Sequence, residues 1–168
     1  MPRYAVGSGS SLVVRARSTL HDTKTEWNAV TGNVTADPAT LATTGATATF
    51  DVDMTRFDAG DFLRNRKLRK DFDMDGNPRA TFTLTGLREV AGDGGRFRAT
   101  ADGVLRWRGR EVPLVVAGEG TLDGTRLAAK GRFELDIRKL GMSAPRFLMF
   151  KMEDEVTVEV TLAGTVAP

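Results

Sequence analysis

The run Phe97-Arg98-Ala99-Thr100-Ala101-Asp102-Gly103-Val104-Leu105-Arg106-Trp107 carries an apolar or small residue at every second position, and its reading decides the fold. Side chains two apart lie on one face of a strand, so this segment is a strand with one apolar face. The same period recurs in Ala46-Ala48-Phe50-Val52-Met54 and in Ala129-Gly131-Phe133-Leu135. The apolar faces are unusually poor in bulk. One-sided strands close into a barrel or sandwich, and inward alanines and glycines leave such an interior partly empty.

Working outward, the alternation predicts strands over 10–17, 26–36, 46–55, 79–90, 96–107, 112–122, 127–136 and 156–164. That is the strand count of a small closed barrel. The linkers Ala91-Gly92-Asp93-Gly94-Gly95, Arg108-Gly109-Arg110 and Asp123-Gly124-Thr125 are hairpin turns, which make neighbouring strands antiparallel. Asp37-Pro38 ends one strand, since proline has no ladder donor. The expected class is therefore all-β, an antiparallel barrel of about eight strands forming one domain over 1–168.

Two segments break the pattern. Residues 61–70 lack β-branched side chains, begin with Asp61 and end in cations, which suits a short helix and its dipole. Residues 138–150 read as a Met- and Phe-rich apolar loop before the last strand, a lid or simply a plug.

Composition narrows the function. Lysine and arginine exceed acidic residues by only 24 to 22, so the pI of 9.2 reflects the scarcity of groups titrating near neutrality rather than a basic protein. Nucleic-acid binding is not expected, because the surplus of cations is small and the basic runs are not interleaved with a series of stacking aromatics, Trp107 alternating inward. Zero cysteines exclude disulfides and thiolate chemistry. No leader-like segment and no apolar run of membrane-spanning length is present, so the expected location is cytoplasmic.

Catalytic constellations are missing. The single histidine, His21, stands beside Asp22 with Ser18 and Thr19 as candidate nucleophiles in the same stretch, and no nucleophile elbow or metal spacing occurs. Asp71, Asp73 and Asp75 alternate as in a calcium loop, yet the distal bidentate glutamate is absent. The expectation is a non-enzyme without metal or cofactor.

A family resemblance follows from four segments in order. Arg64, Leu68, Asp71, Phe72, Pro78 and Phe82 fill a helix-end and strand-start pattern. Gly103 to Leu114 forms a glycine-rich hairpin. Phe133-Glu134-Leu135-Asp136-Ile137-Arg138-Lys139-Leu140-Gly141 and Asp154-Glu155-Val156-Thr157-Val158 complete the set. Together they resemble the YceI-like family of lipocalin-like, polyisoprenoid-binding proteins. The resemblance implies an antiparallel barrel enclosing a long isoprenoid or similar amphiphile, often as a dimer, with no common catalytic group. Many relatives carry an export signal, which is not seen here. Relatives also tend to have His-Ser before the first strand, where this chain has Gly9-Ser10-Ser11.

The expected wall comprises Leu12, Val14, Phe50, Val52, Met54, Phe82, Leu84, Phe97, Leu105, Trp107, Leu114, Val116, Phe133 and Leu135, with Met142, Phe147 and Met149 at the lid. The same residues would equally make a close-packed core. Arg64, Arg66, Lys67, Arg69 and Lys70 form the densest basic cluster, either a head-group site or a solvated helix face balanced by the nearby aspartates. The function expected is sequestration or transport of a lipophilic ligand, isoprenoid or quinone-like. A small enzyme or accessory protein acting on a lipophilic substrate, or a packed scaffold, stays open, as does pairing of two chains.

Overall fold

The computed structural model describes residues 1–18, 22–93, 95–143, 146–147 and 150–167. Its strands are β1 (Arg3–Val6), β2 (Ser11–Ser18), β3 (Thr23–Trp27), β4 (Val30–Ala36), β5 (Ala46–Asp53), β6 (Phe57–Asp58), β7 (Arg79–Ala91), β8 (Arg96–Trp107), β9 (Arg110–Leu122), β10 (Arg126–Asp136), β11 (Arg146–Phe147) and β12 (Phe150–Val166). Helix α1 (Leu41–Thr44) precedes β5, α2 (Phe62–Asp71) precedes β7, and a 3₁₀ turn over Ile137–Leu140 follows β10.

All main pairings are antiparallel, and the order β1-β4-β5-β7-β8-β9-β10-β12 returns to its start because β12 also pairs with β1. This is a closed barrel of eight courses. β1 and β2 are successive halves of the first course, both lying along β12: Tyr4 faces Val166, and Val14 faces Val158. β3 and β4 are likewise halves of the second. At the break in the first course, Ser10 Oγ accepts from the Ala163 amide at 2.9 Å and donates to the Ala163 carbonyl at 3.2 Å. A side chain thus replaces the missing ladder bonds.

Where boundaries differ from the alternation reading, the reason is local. The strand pattern that the chain enters at its first residues is β1, with Tyr4 and Val6 buried, and the stretch over 10–17 is the second half of the same course, parted from it by Gly7 and Gly9. The last strand begins at Phe150, not 156. Its register against β2 shifts between Met152 and Val156, so three residues instead of one separate two buried side chains and hide the period. The expected loop over 138–150 accordingly contains the end of the 3₁₀ turn, β11 and the first residue of β12. Helix α1 was not foreseen at all.

The expected helix over 61–70 is α2. Asp61 caps it by accepting from the Arg64 amide at 2.8 Å, and Arg69 and Lys70 occupy its last turn, matching the dipole. Between β8 and β9, Arg108 and Gly109 both have positive φ, 57° and 72°, as the tight hairpin turn requires.

Buried side chains fall into two clusters, one toward each end of the barrel. Around Tyr4, Val34, Leu41, Leu122 and Leu127 lies the α1 end. The α2 end gathers Trp27, Met54, Met74, Trp107, Leu140 and Met142.

Candidate functional site

The lumen between these clusters is not filled by protein. A cavity of about 350 Å³ extends from Leu41, Leu122 and Leu127 to Arg64, Leu68, Phe72 and Met142, within the range of small-molecule sites, about 300–1,000 Å³.

Its emptiness has a sequence cause that the strand register makes visible. Ala99 of β8 stands opposite Gly118 of β9, which stands opposite Gly131 of β10. One row further, Gly120 stands between Phe97 and Ala129. Apart from Phe97, these two rows over three adjacent strands carry nothing larger than a methyl group. A β-carbon added at Gly118 would meet only ordinary contacts, 3.7 Å from the Lys130 carbonyl and 3.8 Å from that of Ala99. Space is available there.

Elsewhere on the wall, two rings are flattened against the sheet. Phe50 and Phe82 stack with centroids 6.3 Å apart and planes 17° from parallel. A β-carbon at Gly32 would fall 2.7 Å from the Phe50 ring, and one at Gly103 within 2.5 Å of two Phe82 ring atoms. The two glycines let the phenyls lie down along the sheet instead of crossing the lumen.

The cavity surface is apolar where it is deep. Trp27 Nε1 donates to the Met54 carbonyl at 3.2 Å and Trp107 Nε1 to the Asn77 carbonyl at 2.8 Å, so each indole presents only its hydrocarbon. Tyr4 is fully buried, its hydroxyl accepting from the Gly124 amide at 2.9 Å, and burial pushes that phenol upward. Among the described residues no buried side-chain nitrogen or oxygen lacks a partner. Nothing deep in the barrel calls for a polar guest.

Charged residues border the space at two places. Arg64 and Glu153 stand at the α2 end, whereas Glu119 and Lys130, exposed on the outer face, adjoin it beside Gly118 and Gly131. Arg64 lies 3.5 Å from Asp61. The α2 face bearing Arg64, Leu68 and Phe72 follows helical spacing and closes that end.

One side chain ties three covering elements of the α2 end together. Arg108 Nε donates to the Leu140 carbonyl at 3.2 Å, and its Nη1 donates to the Phe72 carbonyl. One guanidinium thus joins the hairpin, the helix end and the 3₁₀ turn.

The wall residues singled out in the sequence, Leu12, Val14, Phe50, Val52, Met54, Phe82, Leu84, Phe97, Leu105, Trp107, Leu114, Val116, Phe133 and Leu135, all border this one space, as does Met142. Met149 lies outside the described residues, as do His21 and the side chain of Phe147. Of the basic cluster only Arg64 reaches the cavity. Lys67 pairs with Asp71 at 2.8 Å. Arg69 is turned to Asp75 at 2.8 Å and to the Thr55 carbonyl at 2.7 Å. Arg66 and Lys70 are exposed on the outer face of α2. Sequence reasoning passed over Trp27, Leu41, Phe72 and Met74 as lining residues. The spacing Arg64, Leu68, Phe72 was the signal available for the helix.

Asp71, Asp73 and Asp75 do not converge. Besides the two ion pairs just given, Asp73 accepts from the Gly76 amide at 3.2 Å. Among the described residues no group of three or more histidine, cysteine, aspartate or glutamate side chains is placed to hold a metal ion, and no helix is long and apolar enough to cross a membrane.

Comparison with known proteins agrees with this architecture. The model of the YceI-like domain matches residues 4–163. The polyisoprenoid binding domain from Saccharophagus degradans, implicated in plant cell wall breakdown, superposes with a TM-score of 0.76 at 15% identity, covering 98% of each chain. BcnA from Burkholderia cenocepacia gives 0.74 at 21% identity over 93% of this chain and 96% of its own. A Campylobacter jejuni YCEI protein gives 0.64 at 14% identity over 86% and 84%. No curated protein matches the sequence.

Proposed function

The chain belongs to the YceI-like family, and on that premise we propose that it binds the hydrocarbon of an isoprenoid-like lipid in its barrel, without chemistry, to sequester or carry it. The observation that carries the reading is a cavity apolar through its depth, with charge confined to its borders. One solved relative is described as a polyisoprenoid binding domain, which supports the same class of ligand. Each methylene transferred from water to such a lumen contributes about 0.8 kcal/mol. Several prenyl units therefore bind without any directional bond. Arg64 is the group proposed to meet the polar head, since it stands where the chain of the guest would leave the barrel.

Extraction of the purified protein with organic solvent, followed by mass spectrometry, tests this directly. Near-stoichiometric lipid is the expected result. Gly118→Val places two methyl groups into the open wall and is expected to lower lipid content while leaving the unfolding midpoint nearly unchanged. A protein that yields no lipid and takes up no fluorescent prenyl alcohol would refute the reading.

A further inference from the structure

The outer face of α2 has no structural reason for its composition. Phe62 and Leu63 are 74% and 73% exposed, more than any other large apolar residue described. Helical spacing sets Arg66 and Lys70 on the same outward side, and both are exposed. Neither makes an ion pair among the described residues. The acidic residues of this segment are engaged elsewhere, Asp61 with Arg64 at 3.5 Å and Asp71 with Lys67 at 2.8 Å. Two bare hydrocarbons and two unneutralised cations share one helical face. Its other face, through Arg64, Leu68 and Phe72, borders the cavity.

We propose that this face is a docking surface for an anionic lipid bilayer, set so that only the thickness of α2 separates the cavity from the membrane. A peripheral contact with such a surface needs a few exposed apolar side chains that reach the acyl boundary and cations that meet anionic head groups. Phe62 and Leu63 supply the first, Arg66 and Lys70 the second. A second copy of the chain is a poor occupant, because a two-fold interface through this face would oppose cations to cations. The inference extends the proposed lipid-binding function, since a guest leaving past Arg64 would travel about the diameter of one helix, roughly 10 Å, before reaching acyl chains.

Cosedimentation of the full chain with vesicles of phosphatidylcholine, with and without phosphatidylglycerol, tests the proposal. Binding is expected only with the anionic lipid and is expected to weaken with salt, by about fivefold for each cation screened. Phe62→Ser with Leu63→Ser is expected to lower binding at least about tenfold, and Arg66→Glu with Lys70→Glu to abolish its salt dependence. These four side chains are exposed, so both double variants should keep the wild-type unfolding midpoint and copurified lipid. Wild-type protein that stays in the supernatant, or serine variants that bind equally well, would overturn the proposal. So would a dimer that the serine variants convert to monomer, which would assign the patch to a second copy. Loss of vesicle binding with lipid still copurifying refutes docking alone, whereas wild-type protein without lipid refutes the cavity reading alone.

Discussion

The two ends of the barrel are closed by different means. At the α1 end the seal is aliphatic and aromatic, with Leu41, Leu122 and Leu127 packed around a Tyr4 that is 0% exposed. Backbone bonds stitch it: Ala36 to Pro2 at 3.1 Å, Val166 to Thr125 at 2.8 Å and Ala167 to Arg3 at 2.7 Å. At the α2 end, Met54, Met74 and Met142 pack with both tryptophans, and side chains do most of the fastening. Arg108 holds the Leu140 and Phe72 carbonyls, Trp107 that of Asn77 and Arg69 that of Thr55, beside backbone bonds such as Met54 to Pro78 at 2.7 Å. Methionine adapts to irregular shapes where leucine and tyrosine define one. The contrast teaches that one end is a base and the other a cover, although both are built from the same meander.

The largest test of that contrast is Tyr4→Ala. Truncating a fully buried ring costs about 3–5 kcal/mol, and urea unfolding should show it; a cost below about 1 kcal/mol would mean the α1 end is not the base. Arg108→Ala comes next. Two carbonyls lose their donor and rehydrate in part, for about 1–2 kcal/mol. Hydrogen exchange should then accelerate in α2 and leave the α1 end alone, and release of a fluorescent prenyl alcohol should quicken. Smaller still is Met74→Leu, where a volume-conserving exchange in an adaptable cluster costs less than about 1.5 kcal/mol.

Acid sharpens the comparison with the mildest effect, because each end has a turn-capping carboxylate lowered to about 2. Asp123, beside Leu122 at the α1 end, is lowered from 3.8 to about 2 by hydrogen bonds from the Thr125 hydroxyl and then from the Arg126 and Thr125 amides. Asp136, at the start of the 3₁₀ turn, is lowered from 3.8 to about 2 by the Arg138 side chain and then its amide. A carboxyl depressed in the folded chain is protonated more readily when unfolded. Its contribution is therefore complete above 3.8 and is lost as pH falls through about 2. Asp123→Asn should flatten the acid limb of the unfolding midpoint over that window, and a curve unchanged from wild type would remove Asp123 from the account.

How far the sequence could be read depends on what alternation can carry. It exposed the wall, since inward residues on long regular strands such as Phe97 to Trp107 share one period. It faltered where the period slips. Gly7 to Ser10 and the bulge after Met152 each cut a course in two, which hid the continuity of β1 with β2 and the start of β12. Met74, 1% exposed, was masked by the aspartates around it. Charge density also misdirected attention along α2, because counting cations does not tell which of them turns inward. Only the geometry separates Arg64 from Arg66, Lys67 and Arg69.

The seam where β1 meets β12 also governs how this molecule can be made. Ser10 and Ala163, which hydrogen-bond across that seam, are 153 positions apart, so a ribosome must emit everything through Ala163 before the ring can shut. Every shorter nascent product is an open sheet with two bare margins, the form most prone to pair with its neighbours. Closing this seam is thus a late event that protects both margins at once.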